Sequence, residues 1–258
     1  MDRRHLLRSG TAAAAGLGLI AATHRTAAAS APASAPGSPR VPAAATAPEP
    51  PAPDADGSKR PLRVHTVLYD GVEEQDFAGP VEAFGVLGHD GRIEQTFVTA
   101  EGPRTVRTAA GLEVTVRAPW SPRSADVIVV PGGGLGEDSA LARQIRLGVL
   151  PRALAAARRP GLTLAGVCSG TLLLCAAGLT TGRPCTTHHA AKQELLARGG
   201  RVVDGRVVDD GDLVTCGGVT SGIDLAVWLV ERHFGPQAAI LVETVLEHER
   251  RGTVWRER

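Results

Sequence analysis

The sequence predicts an α/β fold: a three-layer sandwich with a mostly parallel sheet and a cysteine nucleophile elbow. Three observations predict it. From about residue 61 onward, short β-branched runs alternate with helical patterns. The strand-like runs are apolar throughout, as expected of a parallel sheet covered on both faces. The third observation is the segment Leu162–Leu174, an apolar run, a small-residue corner and then a helix. Gly166 and Gly170 flank Cys168 there in the pattern Gly-x-nucleophile-x-Gly. So tight a turn has no room for side chains on both flanks.

The elements follow in order. Arg63–Tyr69 reads as the first strand, ended by Asp70-Gly71. A helix is expected over Pro80–Val86, with Pro80 in its first turn, where a missing amide costs nothing. Ile93–Thr99 reads as a second strand, and Arg104–Thr108 with Leu112–Val116 as a short β pair. Asp126–Val130 is a buried strand running into Pro131-Gly132-Gly133-Gly134. Leu141–Ala157 is helical, with a break expected at Pro151. After the elbow, Ala190–Arg198 reads as a short helix and Val202–Val208 as a hairpin turning at Asp204-Gly205. Leu213–Cys216 is a further strand, and helices are expected over Gly222–Phe234 and Pro236–Arg250.

Residues 1–29 read as an export signal. Arg3-Arg4 precedes Leu6-Leu7 and a mildly apolar stretch from Thr11 to Ala22. A twin arginine in that setting resembles the address of the twin-arginine export route. The stretch is too short and too weak for a permanent membrane span. Residues 30–60 are rich in Ala, Pro, Ser and Gly and read as a disordered linker. Residues 61–258 are then one domain, and the expected location is the envelope or the medium. A net charge of +1 with 3% aromatic residues carries no footprint of a nucleic-acid surface. The four cysteines are Cys168, Cys175, Cys185 and Cys216, with no metal-ligand spacing. Free thiols are expected, with a Cys185–Cys216 bridge as the alternative.

The chemistry is expected at the carboxyl ends of the strands. Cys168 sits at the start of a helix, where unpaired amides favour an anion, so its pKa is expected to be lowered. The glycine run offers the amides of Gly133 and Gly134, with that of Ser169, to a polar intermediate. Asp76, among apolar residues before Gly79-Pro80, is the candidate acid. Glu73 and Glu74 read as solvated turn residues. Thr186-Thr187-His188-His189 ends a further strand and places His188 as a substrate-contacting residue. No third ligand is spaced to make these histidines a metal site.

Five motifs occur in order: Asp-Gly-x-Glu-Glu-x-Asp-x-x-Gly-Pro-x-Glu-x-Phe at 70–84, Pro131-Gly132-Gly133, Gly166–Gly170, Thr186-Thr187-His188 and Thr220–Asp224. Together they resemble the ThiJ/PfpI superfamily, the cysteine branch of the class I glutamine-amidotransferase-like fold. The likeness covers about Arg63 to Arg250 and is nearest to the branch of isonitrile hydratase and the amidase-like domains of AraC-type regulators. It implies a flavodoxin-like sandwich, Cys168 as nucleophile, Asp76 as its paired acid, a homodimer and no cofactor. It further implies a hydratase of small carbon–nitrogen compounds. Two alternatives stay open: a glyoxalase or deglycase acting on 2-oxoaldehydes, and a non-enzymatic redox-sensing or ligand-binding module. Where glyoxalase-like members carry His after the nucleophile, this chain has Ser169, which cannot serve as an imidazole base.

Overall fold

The computed structural model describes residues 60–257; the export signal and nearly all of the linker lie outside them. The chain order is β1 (Leu62–Val67), α1 (Glu74–Gly88), β2 (Ile93–Val98), β3 (Arg104–Arg107), β4 (Glu113–Val116), β5 (Val127–Val130), α2 (Ala140–Leu147), α3 (Val149–Ala157) and β6 (Thr163–Gly166). Then come α4 (Thr171–Ala176), β7 (Pro184–Cys185), α5 (Lys192–Ala197), β8 (Arg201–Val202), β9 (Val207–Asp209), β10 (Leu213–Cys216), α6 (Ser221–Phe234), α7 (Pro236–Leu246) and β11 (Trp255–Arg256).

A seven-stranded sheet runs in the order β11-β9-β10-β6-β5-β1-β2. The central run from β10 to β2 is parallel, and β9 joins β10 antiparallel. Strand β5 shows why the strands had to be apolar at every position. Val127 and Val129 enter the apolar layer shared with α1, α6 and α7, while Ile128 and Val130 enter the layer shared with α2 to α5. Each such buried side chain contributes about 1.5–3 kcal/mol relative to exposure. The arrangement is a flavodoxin-like three-layer α/β sandwich, the fold class expected.

Four local expectations are corrected. Helix α1 starts six residues before Pro80, so Pro80 lies inside it. There it cannot donate to the carbonyl of Asp76. Its ring packs on Gly222 instead: a Cβ on Gly222 would lie 3.1 Å from Pro80 Cγ, and one on Gly79 would lie 2.9 Å from Ile223 Cγ1. Close approach of α1 and α6 therefore compensates for the lost hydrogen bond. The helix break falls at Gly148, with φ 67°, and Pro151 lies in the first turn of α3, where its missing amide is harmless. Val202–Val208 is not a hairpin. Strand β8 pairs with β7, while β9 turns back on β10 through Asp210-Gly211-Asp212. Finally, α7 ends at Leu246 because Glu247 adopts a left-handed φ of 48°. The chain then doubles back: the Arg251 amide donates to Asp224 Oδ1 at 2.8 Å, and β11 joins the sheet edge beside β9.

Candidate active site

Strand β6 ends at Gly166, and Cys168–Gly170 forms a 3₁₀ turn leading into α4. Cys168 has φ 56°, a left-handed conformation that costs a non-glycine residue free energy. Its surroundings enforce it. The Cys168 N–H donates to the Gly217 carbonyl at 3.1 Å, and its own carbonyl accepts from Thr187 Oγ1 at 2.7 Å. Neither flanking glycine has positive φ; both are required by packing. A Cβ on Gly166 would lie 2.7 Å from Thr171 Oγ1, and one on Gly170 would lie 2.7 Å from the carbonyl carbon of Pro131 and meet the Val130 carbonyl oxygen. The nucleophile elbow is thus wedged between β5 and the loop after β10.

Asp76 arrives from α1. The buried positions of that helix include Asp76, Phe77, Pro80, Ala83, Phe84 and Leu87, a stripe of helical period. Asp76 occupies the first turn of this stripe, so the periodicity that buries the phenylalanines also buries the carboxyl, which is fully enclosed. Oδ2 accepts from the Gly132 N–H at 3.0 Å. Oδ1 has no nitrogen or oxygen partner; the carboxyl's other neighbour is the Cys168 thiol.

The two groups perturb one another. Burial pushes the Asp76 carboxyl up to about 7, against the pull of the Gly132 amide and the thiol. The Cys168 thiol is pushed up to about 12, by burial first and by the Asp76 charge second. The expected lowering of the thiol pKa is therefore corrected. The following helix has only six residues and is separated from the sulfur by the 3₁₀ turn, so the amides of Val219 and Ser169 act alone against burial and the carboxylate. Neutralising Asp76 removes the second cause. The thiol and carboxyl thus form one proton-sharing unit, in which a proton on Asp76 favours a thiolate on Cys168.

The other predicted residues lie around this pair. The Gly133 N–H is engaged by Ser169 Oγ at 3.3 Å, and Ser169 itself is buried. The Ser169 amide is directed at the sulfur. Gly134, with φ 79°, lies farther along the loop, where its Cβ position is 3.9 Å from Glu73 Oε1. His188 caps the turn before α5, with Nδ1 accepting from the Ala190 N–H at 3.2 Å, and its pKa is lowered by burial and by His189. Together with Thr187, Gly217, Gly218 and Val219 it lines a recess of about 400 Å³. Glu74 is not a solvated turn residue. It is half-buried and accepts from Thr108 Oγ1 and from the Ala110 N–H at 2.7 Å, tying the β3–β4 hairpin to α1. All four cysteines are unpaired.

Sequence reasoning missed Tyr69 and Val219, and named Thr187 only within its motif, without the bond its hydroxyl makes to the Cys168 carbonyl. The Tyr69 hydroxyl donates to the Pro131 carbonyl at 3.0 Å and braces the glycine loop from behind. Val219 has φ 49°, unusual for a β-branched residue, and its N–H points at Cys168 Sγ. The only available signal was Gly217-Gly218 before it, which marks a close backbone approach.

Comparison with known proteins agrees with this geometry. The DJ-1/PfpI family model matches residues 62–232. Isonitrile hydratase of Pseudomonas putida is 34% identical over 187 residues, covering 72% of this chain and 78% of that protein. Protein dj-1beta of Drosophila melanogaster is 28% identical over 174 residues, covering 66% of this chain and 89% of that one. A crystal structure of a ThiJ/PfpI family protein from Pseudomonas syringae superposes with a TM-score of 0.66 at 27% identity, covering 74% of this chain and 77% of that one. With the elbow, the buried acid and the family model spanning the same strands, the chain belongs to the DJ-1/PfpI family.

Proposed function

We propose that this protein hydrates small isonitriles to N-substituted formamides. The observation that carries the reading is Asp76, wholly buried against Cys168 with its carboxyl pushed up to about 7. Such a group can both give and take a proton near neutral pH. The 34% identity to an isonitrile hydratase supports the same reading. Asp76 first takes the thiol proton, leaving a thiolate that accepts the Val219 and Ser169 amides. The sulfur attacks the terminal isonitrile carbon, and Asp76 delivers the proton to that carbon, giving a thioimidate. Ionised Asp76 then draws a proton from water as the oxygen adds to the same carbon, and the proton passes to nitrogen. On collapse the hydroxyl proton passes to the departing Cys168 sulfur, which regenerates the thiol and releases the formamide. Ser169 lacks a ring nitrogen, so the position after the nucleophile supplies no base for enediol chemistry on 2-oxoaldehydes.

The test is turnover of cyclohexyl isocyanide and of methylglyoxal by the same preparation. Formamide production with no consumption of methylglyoxal supports the hydratase. The reverse pattern assigns the glyoxalase chemistry and removes this reading. We propose further that the chain is exported by the twin-arginine route, on the strength of Arg3-Arg4. Changing both to Lys is expected to retain the precursor in the cytoplasm; undiminished export of that variant would exclude the route.

A further inference from the structure

Val219 holds a left-handed backbone that a β-branched residue keeps only where its surroundings over-determine it. Arg206, the residue before β9, grips the loop on both sides of it. Its carbonyl accepts from the Gly217 N–H at 2.9 Å, and its Nη2 donates to Thr220 Oγ1 at 3.2 Å. The Gly217 carbonyl in turn accepts the Cys168 N–H at 3.1 Å. The guanidinium is itself held. Nε and Nη2 donate to Asp224 Oδ2 at 3.0 and 2.8 Å, and the Asp224 side chain, in the first turn of α6, is only 3% exposed. The other oxygen, Oδ1, accepts from the Arg251 N–H at 2.8 Å. Arg251 belongs to the strap that follows α7. Arg250 ties that strap to Glu231 of α6 at 2.5 Å and to Glu243 of α7 at 2.8 Å, and β11 then pairs with β9. A line of bonds therefore runs from the strap through Asp224 and Arg206 to the loop beside Cys168. Desolvation offsets much of the Coulomb gain of a buried ion pair, so what this pair supplies is orientation more than stability.

We propose that Arg206, anchored by Asp224 and the C-terminal strap, is a positioning residue that keeps the Val219 N–H aimed at the Cys168 sulfur. It touches no reacting atom itself. With the guanidinium in place, the loop cannot relax Val219 out of its φ of 49°. The amide then faces the sulfur, where negative charge collects once the thiol gives up its proton. Without the guanidinium the turn relaxes, the amide turns away and the thiolate loses a donor. The inference rests on the hydratase reading only for what the thiolate attacks; the aim of the amide serves any chemistry at Cys168.

The experiment labels thiols in the full chain without substrate, so its failure is distinguishable from failure of the isonitrile reading. Iodoacetamide labelling at pH 8 is followed for each cysteine by peptide mapping in the wild type, Arg206→Met and Arg206→Lys. Both variants should label Cys168 about tenfold more slowly, the effect of one pKa unit on the thiolate fraction. Lys should not rescue, because it keeps the charge but not the fixed fork of the guanidinium. The other three cysteines, all buried, should keep their rates. Faster labelling of all four would mean that Arg206 merely braces the fold, and full recovery in Arg206→Lys that only its charge matters. Either result, like an unchanged Cys168 rate, would overturn the proposal. If Arg206→Met does not fold, Thr220→Val decides, because it lies at an exposed position and removes only the hydroxyl that accepts from Nη2. It should slow Cys168 alone by about threefold, the scale of one hydrogen bond; an unchanged rate would overturn the proposal equally.

Discussion

The backbone N–H of Gly132 donates to Asp76 Oδ2 at 3.0 Å, so the loop after β5 aims the acid that α1 carries toward the elbow. Gly132 has no positive φ; its lack of a side chain is a matter of space. A Cβ there would lie 2.7 Å from Asp76 Oδ2 and would also meet Ser169 Oγ. Gly132→Ala is therefore expected to displace the acid and lower turnover by about a hundredfold, the scale of an ångström-sized misplacement of reacting groups. Overpacking should cost about 1–3 kcal/mol of stability besides. Kinetics with urea unfolding checks both. Unchanged turnover in the folded variant would mean that the position of Asp76 is not critical.

The second prediction separates thiol reactivity from catalysis. The Asp76 charge is the second cause of the raised Cys168 pKa. Asp76→Asn removes that charge, so iodoacetamide should label Cys168 faster at pH 8, by roughly tenfold for each pKa unit recovered. Rates from peptide mapping check it. Slower labelling in the variant would show that the Asp76 charge is not what holds the thiol protonated.

The third concerns stability and pH. The Asp76 carboxyl rises from an ordinary 3.8 to about 7 on folding, so the folded state holds this proton more tightly than the unfolded state. Below about pH 4 both states are protonated and the group contributes no penalty. As pH climbs to about 7 the unfolded state ionises first, and stability falls by on the order of 4 kcal/mol. Asp76→Asn, which does not ionise, should lose this decline, so its advantage over the wild type should grow between pH 4 and pH 7. Parallel stability–pH curves for the two proteins would contradict the buried, neutral acid.

The elbow was legible because its chemistry is local: two glycines, a cysteine, a strand before and a helix after. Asp76 was legible as an acid set among apolar neighbours before Gly79-Pro80; that it lies on the buried stripe of α1 was not, because the helix was expected to start only at Pro80. What escaped the sequence depends on distant partners. Pro80 reads as a helix start until α6 brings Gly222 against its ring. Asp204-Gly205 reads as a hairpin turn until β8 finds β7 and β9 finds β10. The thiol pKa was misjudged because the helix amide effect is visible in sequence, whereas burial and the facing carboxylate are not. Val219 was missed because the only mark of its left-handed backbone is the Gly217-Gly218 pair before it, which shows a close approach but not which residue makes it.

The central claim is that Asp76 supplies the proton for the chemistry at Cys168. Its most direct test is formation of N-cyclohexylformamide from cyclohexyl isocyanide by the wild type and by Asp76→Asn at pH 7, with circular dichroism to confirm the fold. The account predicts a loss of roughly 10²–10⁴-fold, with Cys168→Ala inactive and the double variant little worse than either single one. Near-normal turnover by folded Asp76→Asn would contradict it and assign the proton to another group.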